Sequence, residues 1–178
     1  TKMYTRPQAF KIGDNQYPAN TMALWSESEL QSIGVYPVTV DNTNLKDEAY
    51  YINTDITYAV DGITVKGTYG AATAKAIADT LFTAQDETDG LGTEGEVKSQ
   101  GLKSFHKEKI NGMAATLLIP TDWYSLRAAD GGTAVPSNIA TYRAAIRTKA
   151  NTHATAIDGA ADVDALAALV YDWPILGS

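Results

Sequence analysis

The spacing of apolar and polar positions divides the chain into an extended first part and a helical last part. Phe10-Lys11-Ile12 followed by Gly13-Asp14-Asn15-Gln16 predicts a short strand running into a turn, and Tyr17-Pro18 opens another extended piece. Ser26, with Glu29 three residues later, forms a capping-box pattern, so a short helix ending at Gly34 is expected. Val35-Tyr36-Pro37-Val38-Thr39-Val40 reads as extended, with Pro37 directing it to an edge or an unpaired stretch. Residues 50–60 are rich in β-branched and aromatic side chains. Asp61-Gly62 then supplies a hairpin turn, and Ile63 to Tyr69 alternates apolar with polar.

The texture changes at Ala71. Ala74, Ile77, Ala78 and Leu81 share one stripe, which predicts a helix over residues 71–82. Residues 86–96 are acidic and glycine-rich and are expected to form a mobile loop or linker. A helical pattern resumes near Val97 and runs to Leu118, with Gly112 as a candidate break. Thr121 is placed to cap a short helix through Asp122, Trp123, Tyr124 and Leu126, stopped by Gly131-Gly132. Pro136-Ser137 opens a longer helix with Ile139, Tyr142, Ile146, Ala150 and Ile157 on its apolar stripe. Asp162 caps a last one with Val163, Leu166, Leu169 and Val170 turned inward. The pattern therefore predicts an α+β fold, a β-rich N-terminal module followed by a small α-helical C-terminal module. Its parts are a docking module over 1–70, a helical and linker region over 71–118 holding the acidic loop 86–96, and a helical module over 119–178.

With 178 residues, the chain has room for one sizeable domain or two small modules. A hydrophobic fraction of 44% and a charged fraction of 20% argue against disorder throughout. The net charge of -7, with 14 Lys and Arg that form no run, argues against nucleic acid and anionic membrane as partners. The absence of cysteine removes disulfides and thiolate chemistry. No apolar stretch approaches the roughly 20 residues of a membrane span. Thr1 to Pro7 lacks the apolar core of a signal peptide, so the chain is expected to be made in the cytoplasm and to stay there or leave by lysis.

Candidate chemistry is sparse. His106 and His153 each stand alone in their segments and read as ordinary surface or interface histidines. The carboxylates form no motif that predicts a raised pKa and read as a solvated acidic surface, with a glycosidase-like pair as the alternative. Residues 41–48 begin like a calcium loop, but Leu45 and Lys46 stand where an oxygen ligand and a glycine are needed. The five carboxylates of loop 86–96 have no regular ligand spacing. Gly67 to Lys75 lacks both the P-loop and the dinucleotide pattern. No catalytic, cofactor-binding or metal-binding residue is therefore assigned, and no cofactor is expected.

The aromatics carry more information. Trp25, Tyr50, Tyr51, Tyr58 and Tyr69 lie in the β-rich part, where such rings form a small core, meet a neighbouring subunit or stack on sugar. Trp123, Tyr142 and Trp173 sit on consecutive short helices and are expected to interlock as a small helical clasp. Arg127, Arg143 and Arg147 would lie across these rings or pair with Asp122, Asp158 and Asp172. Truncating one ring of such a clasp would loosen the others.

One ordered set of short motifs resembles a known group. Pro120-Thr121-Asp122-Trp123-Tyr124-Ser125-Leu126-Arg127, then Val135-Pro136, then Tyr142-Arg143-Ala144-Ala145-Ile146-Arg147 and finally Asp172-Trp173-Pro174 resemble the C-terminal region of bacteriophage tail-fibre and tail-fibre-assembly proteins. The likeness covers residues 120–175. A second region, Ile12-Gly13-Asp14, Gln16 to Asn20, Leu24-Trp25-Ser26 and Ile33-Gly34, is similar to an N-terminal segment of other phage structural proteins. The resemblance implies a phage tail-associated protein made in the host bacterial cytoplasm, and the β-rich module, which has no obvious place in a simple chaperone, favours a non-enzymatic virion component, a baseplate, fibre or adaptor subunit. The resemblance also implies contacts with other tail proteins in host attachment and a homo-oligomer, a trimer among the forms allowed. An assembly chaperone and a small envelope-degrading hydrolase are the alternatives.

Overall fold

Local signals in the first seventy residues fold as their chemistry dictates. The computed structural model describes residues 2–177. By its internal contacts the chain divides into one unit of residues 1–48 and 52–73 and another of residues 49–51 and 74–178. In the first unit, β1 (Phe10–Ile12) and β2 (Asn15–Tyr17) form an antiparallel hairpin that turns on Gly13, whose φ of +56° favours glycine. Phe10 faces Tyr17 across the pair and their rings stack at 5.0 Å. After α1 (Thr21–Leu24), Ser26 and Glu29 make the reciprocal capping box expected of them and start α2 (Glu27–Ser32). Gly34, at φ +83°, ends it while Val35 N–H donates to the Leu30 carbonyl.

Strand β3 (Val38–Asp41) is followed by the two-residue β4 (Tyr51–Ile52) and then by the hairpin of β5 (Ile56–Asp61) and β6 (Thr64–Tyr69). The sheet order is β3-β6-β5, so β3 is an edge strand, as Pro37 before it requires, and it runs parallel to β6. Register fixes the two faces. Val38, Val65 and Val60 form one row, and Val40, Gly67 and Tyr58 form the next on the same face. Thr39, Lys66 and Ala59, then Asp41, Thr68 and Thr57, form the rows of the other face. Tyr58 and Ile56 lean over Gly67, where a Cβ would come within 2.8 Å of each. Among the described residues Phe10 is the one apolar side chain of this unit that is buried. The unit is a sheet with little beneath it.

The second unit departs from the expected helix over residues 71–82. That stretch is extended, with short strands β7 (Thr73–Ala74) and β8 (Thr80–Leu81). Its backbone serves another element instead. The Ala76 and Ile77 carbonyls accept the N–H groups of Leu102 and Lys103, and the Asp79 carboxylate accepts those of Gly101 and the Ser104 hydroxyl. These donors open α4 (Leu102–Leu118), whose N-cap Gly101 has no side chain to satisfy them. A tertiary contact thus outcompetes a weak local propensity. Part of the expected acidic loop is also ordered. Thr83 and Asp86 cap α3 (Ala84–Thr88) reciprocally, Lys98 reaches Asp86 at 2.6 Å, and β8 pairs with β9 (Val97–Ser99).

Helix α4 runs through Gly112 without a break. A 3-10 turn (Ile119–Thr121) leads straight into α5 (Asp122–Ala129), so Thr121 does not cap. Its hydroxyl instead donates back to the Leu118 carbonyl. Helices α6 (Ser137–Gly159) and α7 (Val163–Ala167) follow, the latter capped by Asp162 as its sequence suggests. Ile110, Ile157, Ala160 and Leu166 form the buried centre, with Leu102, Leu169, Tyr171 and Trp173 packed around it. Val170, read as inward-facing, is 84% exposed because α7 has already ended.

Two glycines of α4 separate fit from propensity. A Cβ at Gly101 would meet the Ala78 backbone at 2.3 Å, whereas at Gly112 it would meet nothing within 4 Å. Gly101→Ala is expected to lower the unfolding free energy by about 1–3 kcal/mol. Gly112→Ala is expected to raise it by ~0.5–1 kcal/mol, both read from urea unfolding curves.

Candidate functional site

The three rings expected to interlock do not meet. Trp123 is tilted by 30° against Tyr124 on α5, their ring centres 3.8 Å apart, with the Arg127 guanidinium 4.9 Å from its ring centre. Tyr142 points elsewhere, its hydroxyl donating to the Leu117 carbonyl at 3.4 Å. Trp173 sits on His153 at 5.3 Å and on the core of the second unit. The reason is geometric. The 3-10 turn makes α5 continue α4, and this places Trp123 on the solvent side rather than towards α6.

Arg143 ties down that turn. It is buried on α6, and its Nη1 lies 3.1 Å from the Leu118 carbonyl, 2.7 Å from the Thr121 hydroxyl and 2.8 Å from Asp122 Oδ1. One nitrogen with two hydrogens serves three acceptors, so at least one hydrogen is shared. Arg127 lies across rings, Arg143 pairs with Asp122, while Asp158 and Asp172 pair with Lys107 and Lys149. On the outer side of the turn and α5, Ile119, Trp123 and Leu126 are 64%, 49% and 66% exposed. Their spacing of four and then three residues makes one apolar stripe, beside which Arg127 and Tyr124 stand. Trp, Tyr and Arg together are the side chains that dominate protein interfaces.

The histidines are not surface groups, which corrects the sequence reading. Both are buried. His106 Nδ1 is 2.9 Å from the Tyr171 hydroxyl, with the Tyr50 ring at 5.7 Å. His153 Nε2 donates to the Asp172 carbonyl at 2.9 Å and packs edge-on against Tyr171 and Trp173. They fasten residues 171–173 to α4 and α6. The signal was present in the spacing: His106 precedes Ile110 by four and Ala114 by eight, and His153 lies between Ile146 and Ile157 on the inner stripe. Burial, then the Lys109 charge, lowers the His106 pKa, and burial raises that of Tyr171. This is a structural network in which burial disfavours the charged form of His106.

The remaining candidates separate by unit. Trp25 meets Tyr17 edge-on at 5.9 Å and ends an aromatic row that runs through Phe10 to Tyr4. Tyr58 is exposed on the apolar sheet face and Tyr69 is half-buried at its end. Tyr51 donates to Asp164 Oδ1 at 2.6 Å, and this carboxylate raises the Tyr51 pKa. The calcium-like loop uses its first carboxylate locally. Asp41 accepts the Thr43 hydroxyl and N–H and lies 3.3 Å from Lys66, which brings its pKa to about 2. Asp86 falls to about 2 chiefly through Lys98, with Thr83 adding to it. Among the described residues no group of three or more His, Cys, Asp or Glu is placed to hold a metal ion. No helix among them is long and apolar enough to cross a membrane. Compared with family models, curated proteins and solved structures, the chain matches none.

Three tests follow from this geometry. Trp173→Ala should lower stability by ~2 kcal/mol or more and open residues 171–177 to proteolysis, because a core-packed ring is lost. Trp123→Ala should change stability by less than ~1 kcal/mol, the worth of an exposed cation–π contact. Because the His106 pKa is lowered on folding, the unfolded chain binds the proton more readily. Stability contributed by the neutral ring is therefore present above the ordinary histidine value of about 6.5 and lost as pH falls below it. His106→Gln should flatten that decline in thermal melts taken between pH 7 and 5, whereas an unchanged decline would contradict the assignment.

Proposed function

We propose that the chain is a non-enzymatic structural subunit of a bacteriophage tail, at the baseplate, a fibre or an adaptor, acting through protein–protein contacts. The observation that carries the assembly half of this reading is the first unit's want of a core. Phe10 is its one buried apolar side chain among the described residues, while Val38, Val40, Tyr58 and Val60 stand in water. A three-stranded sheet needs a second layer to be stable.

The tail assignment rests on the ordered motifs between Pro120 and Pro174 and on the smaller set between Ile12 and Gly34. An assembly chaperone is the second reading, favoured by the exposed Ile119, Trp123 and Leu126 stripe, which suits a transient clasp on another chain. Mass spectrometry of purified particles of the phage that encodes the chain separates the two. A virion component is expected in the particles at a fixed copy number. Its absence there, with abundance in the infected-cell lysate, would replace the structural reading with the chaperone.

A further inference from the structure

We propose that Ile119, Trp123 and Leu126 dock a helix of a partner protein, and that Arg127 beside them takes an acidic side chain of that helix. This names the surface and the partner chemistry of the protein–protein contacts proposed above and rests on that half of the reading alone. All four residues belong to the helical unit, on α5 and the turn before it. The apolar three follow one another at four and then three residues, the spacing of the seam along which two helices pack. All three are exposed.

What selects the occupant lies on the same face. Arg127 directly follows the last seam residue, the place from which paired helices exchange charges. Its guanidinium is 4.9 Å from the Trp123 ring centre and 5.4 Å from that of Tyr124, so two rings hold the fork in place. Gly132 steadies the stem. Its N–H donates to the Arg127 carbonyl at 2.9 Å, and a Cβ there would come within 2.9 Å of Arg127 Cγ. Yet among the described residues no carboxylate lies within ion-pair reach of Arg127, and its buried Nε has no acceptor. Asp122, the acidic residue at the start of α5, is held by Arg143 at 2.8 Å. A cation already ordered by its neighbours loses little further freedom when a carboxylate pairs with it. The unpaired cation therefore favours an acidic partner and repels a basic one. The aliphatic Ile119 and Leu126 favour an apolar protein stripe, since sugar hydroxyls would find no polar group along the seam.

Peptide selection on the full chain tests this, with a random library of mRNA-displayed peptides as the probe. Enriched peptides are expected to carry large apolar residues at helical spacing with Glu or Asp alongside. The net charge of -7 would by itself draw basic peptides, so acidic enrichment reports the local site. Trp123→Ala and Arg127→Ala should each weaken a selected peptide about ten-fold or more, with unchanged circular dichroism. Arg127→Glu should turn the selection towards Lys- and Arg-bearing peptides, a reversal that a merely structural Arg127 would not produce. No enrichment, enriched peptides without acidic residues, or selected peptides that bind Arg127→Glu as well as the wild type would overturn the proposal. So would a wild-type dimer in sedimentation that Trp123→Ala dissolves, because a second copy would then occupy the stripe. Should the variants unfold, photo-crosslinking of a selected peptide to the wild type decides. Attachment within residues 119–127 supports the site, and attachment elsewhere overturns it. Presence or absence of the chain in particles bears on the virion reading and leaves this result standing.

Discussion

The packing of α4 against α6 is the contact on which the second unit is built. Ile110 from α4 and Ile146 and Ile157 from α6 are fully buried, and Leu166 of α7 closes the same centre. Most of the stability of such helices comes from burying one stripe against a partner. Everything else in the unit attaches to that pair. Residues 76–79 satisfy the first N–H groups of α4, Arg143 holds the turn where α4 passes into α5, and the two histidines fasten residues 171–173. The buried His106, Arg143 and His153 each meet a hydrogen-bond partner, so they select this arrangement as much as they stabilise it.

Features whose causes lie within a few residues were legible in the sequence. Ser26 with Glu29, the turn at Asp61-Gly62 and Asp162 before α7 all act locally, and each stands where its chemistry places it. Several of the errors come from a distant partner. Ala71 to Phe82 carries a helical stripe, but its carbonyls are taken by the start of α4 more than twenty residues on. His106 and His153 looked solitary because Tyr171 and Asp172 reach them only through the fold. Trp123, Tyr142 and Trp173 looked like one core because their helices are consecutive, while the 3-10 turn leaves Trp123 on the outer side and Trp173 packs on His153. For the candidate interaction residues, the sequence marked the right chemical types. Which of them stay exposed depends on register in the sheet and on the direction of α5.

The two units meet the cost of exposure differently. The helical unit buries four large side chains completely and leaves an aromatic and arginine stripe outside. The sheet unit forms every ladder its turns prescribe yet leaves its valine face in water, a state that a lone domain of its size rarely sustains. The helices thus carry a core of their own, while the sheet unit has Phe10 as its one buried apolar side chain among the described residues.

Amide hydrogen exchange on the full chain tests that division most directly. Slow exchange is expected in α4 and α6, and markedly faster exchange in β3, β5 and β6. Sheet amides protected as strongly as those of α4 would contradict it.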